Sequence, residues 1–426
     1  MTDIYAELEW RGMLSESTEG TREALRTAPM IGYIGFDPTA PSLHVGSLLT
    51  VMGLARLQRF GHKPIAIVGG GTGMIGDPSG KSQERVLLSG ADVERNVAGI
   101  RAQLEKFLDF TTPQNPAQIV NNADWLGAID ILSFLRDVGK HFTVNYMLQK
   151  ESVARRLEGE EGISYTEFSY LVLQAYDYLQ LFDRYGCTLQ MGGSDQWGNI
   201  TAGIELIRKL RSRKVHGLVW PLMTTSSGVK FGKTEAGAIW LDAERTTPFH
   251  FYQFWLNTDD RDVARYLKCF TFLARQDIES LEQATREKPE AREAQRALAR
   301  EVTTLVHGAE QVARAERAAS VLFTDNLTAA DVDDVLMVLA DAPSTEMALP
   351  ERGISLVELL ATVKLTTSRS EATRLIKSGG VYVNNVRAND EKAWLTASDA
   401  IGGQVIVLRK GRRDQHVVRV ARKSQQ

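Results

Sequence analysis

Two rhythms of apolar residues alternate along the first half of the chain. Short apolar runs at 33–36, 64–68, 119–121 and 187–191 each lead into a Gly-rich or polar turn, and then into a stretch whose apolar residues recur every three to four positions. The first unit shows the pattern most clearly. Tyr33–Phe36 reads as a strand, Asp37-Pro38-Thr39-Ala40-Pro41 as a turn, and Ser42 as the cap of a helix whose apolar face comprises Leu48, Leu49, Met52, Leu54, Ala55 and Leu57. Gly61 stands where a helix-ending glycine belongs. Further strands are expected at Pro64–Val68, Ile119–Asn121 and Cys187–Met191. Helices are expected at Asp92–Phe110, Tyr165–Phe182 and Ile200–Arg211, with residues 1–30 as an amphipathic helix and Asp130–Leu157 as a helical insertion. Strands alternating with helices predict an α/β fold around a parallel sheet.

Past Thr247 only the helical rhythm remains. Val263–Leu273, Ile278–Arg286, Pro289–His307 and Ala309–Phe323 read as helices with apolar stripes and solvated charged faces. Asp341–Gly353, with Pro343 and Pro350, reads as a linker. Helices near Leu356–Thr362 and Arg369–Lys377, a strand at Val381–Val383 and an Asn384-Asn385 turn follow. The division expected is a Rossmann-like parallel-sheet domain over 1–246 with an insertion at about 110–157, an α-helical domain over 247–342, a linker over 343–352 and a small α+β domain over 353–426.

Charge changes this picture at one end. The whole chain of 426 residues carries −3, yet residues 353–426 hold 13 Lys and Arg against 6 Asp and Glu, a net of +7, leaving −10 for the rest. A basic terminal domain on an acidic body points to a polyanionic partner. Cys187 and Cys269 form no disulfide framework and no metal-ligand spacing, so a reducing compartment and no protein-bound metal are expected. The N-terminus lacks the pattern of a signal peptide, and no stretch has the apolar length of a membrane span.

Candidate chemistry gathers where strands give way to helices, the edge at which open α/β sheets bind ligands. Thr39 and His44 lie at the first such junction, where free helix N–H groups favour an anion; Gly46 leaves room for a ring to approach, and Ser47 shares a face with His44. Taken alone, these residues also suit capping and surface packing. GGGTGMIGDPSGK, 69–81, matches neither the dinucleotide fingerprint nor a P-loop, but offers Asp77 as an acceptor for an ammonium group, with Lys81 and nearby Arg85 as phosphate partners. On the Tyr165–Phe182 helix, Tyr170, Gln174 and Asp177 project from one face, with no Lys or Arg among them, and such a stripe must find partners. GGSDQWGN, 192–199, suits a ribose through Gly193 and Asp195, with Gln196 in reach. KFGKT, 230–234, puts two lysines in a Gly-containing loop.

The pairing of a PT-x4-HVG turn with KFGKT resembles the two nucleotide motifs of class I aminoacyl-tRNA synthetases, written HIGH and KMSKS in that family. YIGFDPTAPSLHVG, GTGMIGDPSGK, SYTEFSYLVLQAYDY, MGGSDQWGNIT and KFGKT together are similar in order and spacing to bacterial-type tyrosyl-tRNA synthetases, over essentially the full chain. The resemblance implies that Tyr33 and Asp177 bond a tyrosine phenol, that Asp77, Tyr170 and Gln174 hold its ammonium, and that Gln196 sits near its carboxylate. It implies for ATP that Thr39 and His44 meet the terminal phosphate, with Gly46 and Ser47 in the same turn. Asp37 would lie near the α-phosphate, and Gly193 and Asp195 would hold the ribose. Lys81, Arg85, Lys230, Lys233 and Thr234 would surround departing pyrophosphate. Ser47 stands in place of the second His of HIGH, and Ile34 where some members carry a ribose-touching Cys. The last domain resembles an RNA-binding module shared by a ribosomal small-subunit protein and pseudouridine synthases, which assigns Arg369, Arg374 and Lys377 to RNA, with Arg409, Lys410, Arg412 and Arg413 as a second cluster.

The implied activity is tyrosine–tRNA ligation with L-tyrosine, Mg2+-ATP and tRNA(Tyr) as substrates, in a cytoplasmic homodimer joined through the insertion. A phenol-binding pocket leaves polar groups unpaired when phenylalanine enters, which removes the need for an editing domain. Two other readings compete: a tryptophan–tRNA ligase, against which Tyr33 and Asp177 speak, and an RNA-binding splicing or regulatory factor on a synthetase fold, against which the intact KFGKT lysines, His44 and Thr39 speak.

Overall fold

The computed structural model describes residues 3–79, 87–159, 162–229, 231–234, 237–321, 326–340, 342–411 and 414–421. They form two compact units, one of residues 1–246 with 253–306, the other of 247–252 with 307–426.

The first unit is built on a six-stranded sheet: β1 (Glu16–Ser17), β2 (Ile31–Phe36), β3 (Lys63–Val68), β4 (Gln118–Asn121), β5 (Leu189–Gly193) and β6 (His216–Trp220), in the spatial order β1-β6-β5-β2-β3-β4. All pairs are parallel except the short β1–β6 edge. Strand order reverses between β2 and β5, where Tyr33 pairs with Gln190. A doubly wound sheet opens its ligand crevice at such a reversal. β3 is buried along almost its whole length, as a strand covered on both faces must be.

Several helices end where their residues dictate. The 21-residue helix Tyr165–Tyr185 starts at Ser164, whose side chain accepts from Glu167 N, and stops at Gly186 in the left-handed region. A buried ion pair, Arg156 Nη1 to Glu167 Oε2 at 2.8 Å, holds its first turn. The helix after β2, Val45–Arg59, departs from expectation at its start. His44, not Ser42, is its cap residue and makes no side-chain capping bond; the Ser42 hydroxyl instead donates to Leu43 O and accepts from Gln103 Nε2. Pro38 and Pro41 and the extended backbone at His44 delay the helical turn by two residues.

Residues 1–30 form two short helices, Ile4–Trp10 and Thr21–Thr27, around β1 rather than one helix. Gly12 and Gly20, both at positive φ, break the periodicity. The insertion also breaks up, into short helical pieces that include a π-helical turn at Phe134–Val138.

In the second unit, the helices Leu356–Thr362 and Arg369–Lys377 pack on a five-stranded sheet. Asn384 and Asn385 both take positive φ, as a tight hairpin turn between Val381–Val383 and Val386–Arg387 requires. Residues 343–352, expected as a linker, contain a strand: Ser344–Met347 pairs in parallel with Asp414–Val420 at the sheet edge. Its alternating exposure carries too few large apolar residues to be legible as a strand in advance.

Candidate active site

The crevice at the β2–β5 reversal gathers most of the expected side chains. Asp177 projects from the long helix and is buried. Its Oδ1 accepts from Trp125 Nε1 at 2.7 Å and its Oδ2 from Asn122 Nδ2 at 2.9 Å. Burial pushes its pKa up to about 7, against the pull of these two donors. Tyr33, on the strand facing it, is 1% exposed, and its hydroxyl has no hydrogen-bond partner among the described residues. Burial first, then the nearby Asp177 charge, holds that phenol well above its ordinary pKa, so it stays a neutral donor. Beside it on β5, Gln190 Oε1 is likewise buried without a partner among the described residues. Orphaned buried polar atoms are costly, about 1–3 kcal/mol each, and two on adjacent strands mark a place built for a polar ligand.

Next to this pair lies an amide and carboxylate network. Gln196 Nε2 donates to Asp77 Oδ2 at 2.7 Å, Gln174 Nε2 to Gln196 Oε1 at 3.1 Å, and Asn199 Nδ2 to Gln174 Oε1 at 2.9 Å. Asp77 Oδ1 accepts from Ser79 N, which fixes the carboxylate at the end of the Gly-rich turn. Tyr170, grouped by resemblance with Asp77 and Gln174, donates its hydroxyl to Asp37 Oδ2 at 2.7 Å, while Thr72 Oγ1 donates to Asp37 Oδ1 at 2.8 Å. A carboxylate at the carboxyl end of β2 is thereby tied to the long helix and to the turn after β3. Gly69 must be glycine for this: a Cβ there would sit 2.4 Å from both Asp37 Oδ1 and Thr72 Oγ1.

The two signature segments meet at the start of the Val45–Arg59 helix. Val45 N donates to Ile239 O and Leu241 N to Leu43 O, making an antiparallel bridge between His44 and Trp240. The His44 ring stands edge-on to Trp240, 6.0 Å between centroids, and folds over Gly46, where a Cβ would lie 2.7 Å from the imidazole. Gly232 of KFGKT, at φ +81°, packs on the same turn: a Cβ there would lie 2.6 Å from Val45 Cγ2 and 3.2 Å from Gly46 N. Thr39 N donates to Asp37 O, and Ser47 N to His44 O. Gly193 ends β5, where a Cβ would lie 2.6 Å from Oδ1 of the exposed Asp195.

Lys81, Arg85 and Lys230 lie outside the described residues, as do the side chains of Lys233 and Thr234, whose backbone forms a short hairpin with Gly237–Ala238. The sequence reading missed Thr72, Asn122, Trp125, Gln190 and Asn199. Asn122 and Trp125 follow β4 at the same carboxyl edge, so their position was available as a signal, but nothing local says that they reach Asp177. In the second unit Arg369 and Lys377 are paired with Glu358 (2.9 Å) and Glu391 (3.1 Å), Lys410 with Glu371 (2.9 Å), and Arg409 lies over the Tyr382 ring at 4.0 Å. Arg374 is exposed, and Arg412 and Arg413 lie outside the described residues.

A parallel sheet with a polar crevice at its strand reversal, flanked by an HVG turn and a KFGKT loop in direct contact, defines a class I tRNA synthetase. The model of the "tRNA synthetases class I (W and Y)" matches residues 25–324, and that of the "Tyrosine--tRNA ligase SYY-like C-terminal domain" residues 334–418. The tyrosine–tRNA ligase of Roseiflexus castenholzii is 55% identical over 425 residues, covering 99% of this chain and 100% of the relative, and that of Geobacillus kaustophilus is 52% identical over 426 residues, covering 98% and 100%. The crystal structure of a C-terminally truncated mitochondrial tyrosyl-tRNA synthetase from Aspergillus nidulans superposes with a TM-score of 0.69 at 32% identity, covering 76% of this chain and 95% of that one. The chain belongs to the tyrosine–tRNA ligase family of class I aminoacyl-tRNA synthetases.

Proposed function

We propose that the protein joins L-tyrosine to tRNA(Tyr) in two steps at this crevice. Tyrosine's carboxylate attacks the α-phosphorus of ATP, which enters with its Mg2+; the bond to the bridging oxygen breaks, releasing pyrophosphate and leaving tyrosyl-adenylate. A hydroxyl of the tRNA's terminal ribose then attacks the activated carbonyl, and AMP departs. The substrate supplies the nucleophile, so the protein's task is positioning and charge stabilisation.

The observation that carries this reading is the buried pair at the β2–β5 reversal: a Tyr33 hydroxyl without a partner among the described residues, beside a buried Asp177 carboxylate. A phenol hydroxyl can donate to Asp177 and accept from Tyr33. Neither indole nor phenyl can do both. The Asp77, Tyr170, Gln174 and Gln196 cluster would take the ammonium and carboxylate end. Asp37, Thr39, His44, Gly46, Ser47, Gly193 and Asp195 would take ATP, and Lys81, Arg85, Lys230, Lys233 and Thr234 the leaving pyrophosphate. Tyrosine-dependent ATP–pyrophosphate exchange, run beside phenylalanine and tryptophan, tests it: exchange with tyrosine alone is expected, and no exchange with any of the three would overturn the reading.

As domains we propose 1–246 for catalysis, 247–342 for the anticodon side and 353–426 for RNA, in a cytoplasmic homodimer. Exposed Ile131, Leu132 and Val144 on the insertion support dimerisation, because exposed apolar side chains gathered on one segment suit an interface. Among the described residues no helix is long and apolar enough to cross a membrane. The exposed ion pairs of Arg369 and Lys377 hold weakly enough for a phosphate to replace the carboxylate. Arg374→Ala is expected to lower the slope of log affinity for tRNA against log salt by about 1, with pyrophosphate exchange unchanged. Filter binding across salt concentrations checks this.

A further inference from the structure

One face of the helix Asp260–Phe270 holds the segment leading into KFGKT, and Phe231 also packs against Phe254 at 5.7 Å and Trp255 at 5.6 Å. The buried carboxylate of Asp262 accepts from Ser226 N at 2.9 Å through Oδ2. One turn further along, Arg265 Nη1 reaches Thr224 O at 3.5 Å. The next two residues on this face seat Phe231: the Tyr266 ring meets it edge-on at 4.8 Å, and Phe270 stacks on it at 5.2 Å with 20° between planes. Positions 262, 265, 266 and 270 line a single helical stripe, so a rigid element contacts this segment at the turn and at the first aromatic of the signature. Between those points the segment folds on itself, with Phe231 N donating to Met223 O and Thr225 N to Val229 O.

The same helix is anchored at its other end to the helix that begins at His44. Arg56, buried on the Val45–Arg59 helix, donates to Cys269 O at 2.9 Å and Thr271 O at 2.7 Å, and Arg11 donates to Lys268 O at 2.8 Å. A guanidinium on the last carbonyls of a helix satisfies groups that have no partner within the helix and complements its dipole. Burial and the neighbouring Arg11 charge lower the Arg56 pKa to about 9, leaving it a cation at neutral pH. The contacts close a circuit. One helix runs from His44 to Arg56; the second runs back from the carbonyls Arg56 grips to Asp262; the segment that Asp262 and Phe270 hold returns to His44 through Gly232, packed on Val45 and Gly46.

We propose that Asp262 is a positioning residue for tyrosine activation, fixing residues 224–229, with Phe231 and Gly232, against the His44 turn so that the described part of the KFGKT signature is presented at one place relative to ATP. This rests on the reading of the site as a tyrosine-activating centre. Among the described residues no hydrogen bond of the phenol and amide clusters of the crevice involves Asp262, so its effect belongs to the rate of adenylate formation and not to tyrosine binding.

The full-length protein, Asp262→Ala and Asp262→Asn are compared by tyrosine affinity at equilibrium, by the single-turnover rate of adenylate formation at saturating tyrosine and ATP, and by thermal unfolding. Asn keeps an oxygen that accepts from Ser226 N; Ala does not. Asp262→Ala is expected to slow adenylate formation by about tenfold to a hundredfold, the scale on which displacements near 1 Å act, with tyrosine affinity unchanged. Asp262→Asn is expected to restore a rate within about twofold of the parent, since it loses charge but not the bond. A parent rate in Asp262→Ala, an equal loss in both variants, or loss of tyrosine binding or of folding in Asp262→Ala would overturn the proposal. Failure of the parent itself to make adenylate would instead sink the functional reading.

Discussion

Asp177→Asn is expected to lose tyrosine activation by about a hundredfold or more, because the buried carboxylate that would accept the substrate phenol becomes an amide with one acceptor fewer. The remaining amide oxygen cannot serve both Trp125 Nε1 and Asn122 Nδ2, and the new NH2 faces a donor. The pH dependence carries a second test. The Asp177 pKa is raised, from 3.8 unfolded to about 7 folded, chiefly by burial. The folded protein therefore holds a proton between these values that the unfolded chain has released, and stability present below about pH 4 is lost as pH rises through 7. At 1.36 kcal/mol per pKa unit, the loss approaches about 4 kcal/mol. Relative to the parent, Asp177→Asn should therefore gain stability between pH 4 and 8, read by denaturant unfolding. The activity profile runs the opposite way: an ionised carboxylate is needed to accept from the phenol, so parent kcat/KM for tyrosine should fall about tenfold per unit below pH 7. A flat parent profile would show that Asp177 does not titrate in the free protein.

Gly46→Ala is expected to slow activation by about a hundredfold while leaving tyrosine affinity intact. The added methyl would meet the His44 ring at 2.7 Å, and a few ångströms away Gly232 already presses on the same turn, so the imidazole must leave its present position. A ring displaced by about 1 Å would miss the developing charge that it is proposed to meet and that a ground-state complex hardly needs it for. Single-turnover adenylate formation against equilibrium tyrosine binding separates the two effects. Equal losses in both would place the fault in folding, which thermal unfolding would register.

The two variants differ in how visible their residues were beforehand. Gly46 sits inside a motif, and motifs are local: backbone approach, helix capping and turn chemistry act over a few residues, so HVG and KFGKT carry their meaning in the order of their letters. The polar stripe of Tyr170, Gln174 and Asp177 was also legible, since helical periodicity alone puts the three on one face. What they touch was not. Tyr170 reaches Asp37 across 133 positions in the chain, and Asp177 takes its donors from Asn122 and Trp125, more than fifty residues away. Errors of the sequence reading fell where tertiary contacts outweigh local preference, as at Ser42, whose hydroxyl turns away from the helix to the Leu43 carbonyl and Gln103, and at Ser344–Met347, which pairs only because Asp414–Val420 offers an edge.

By itself, the sequence determined the α/β class, four of the six strands of the first unit's main sheet and its longer helices, the two signature segments and the uneven charge, because each depends on periodicity or composition within a short window. Only the tertiary structure decided that β2 and β5 are neighbours, that Tyr33 and Gln190 bury polar atoms side by side, and that a helix beyond residue 259 grips the KFGKT approach at one end and Arg56 at the other. Those facts follow from strand order and from which distant groups can satisfy one another once water is excluded, and no local pattern encodes either.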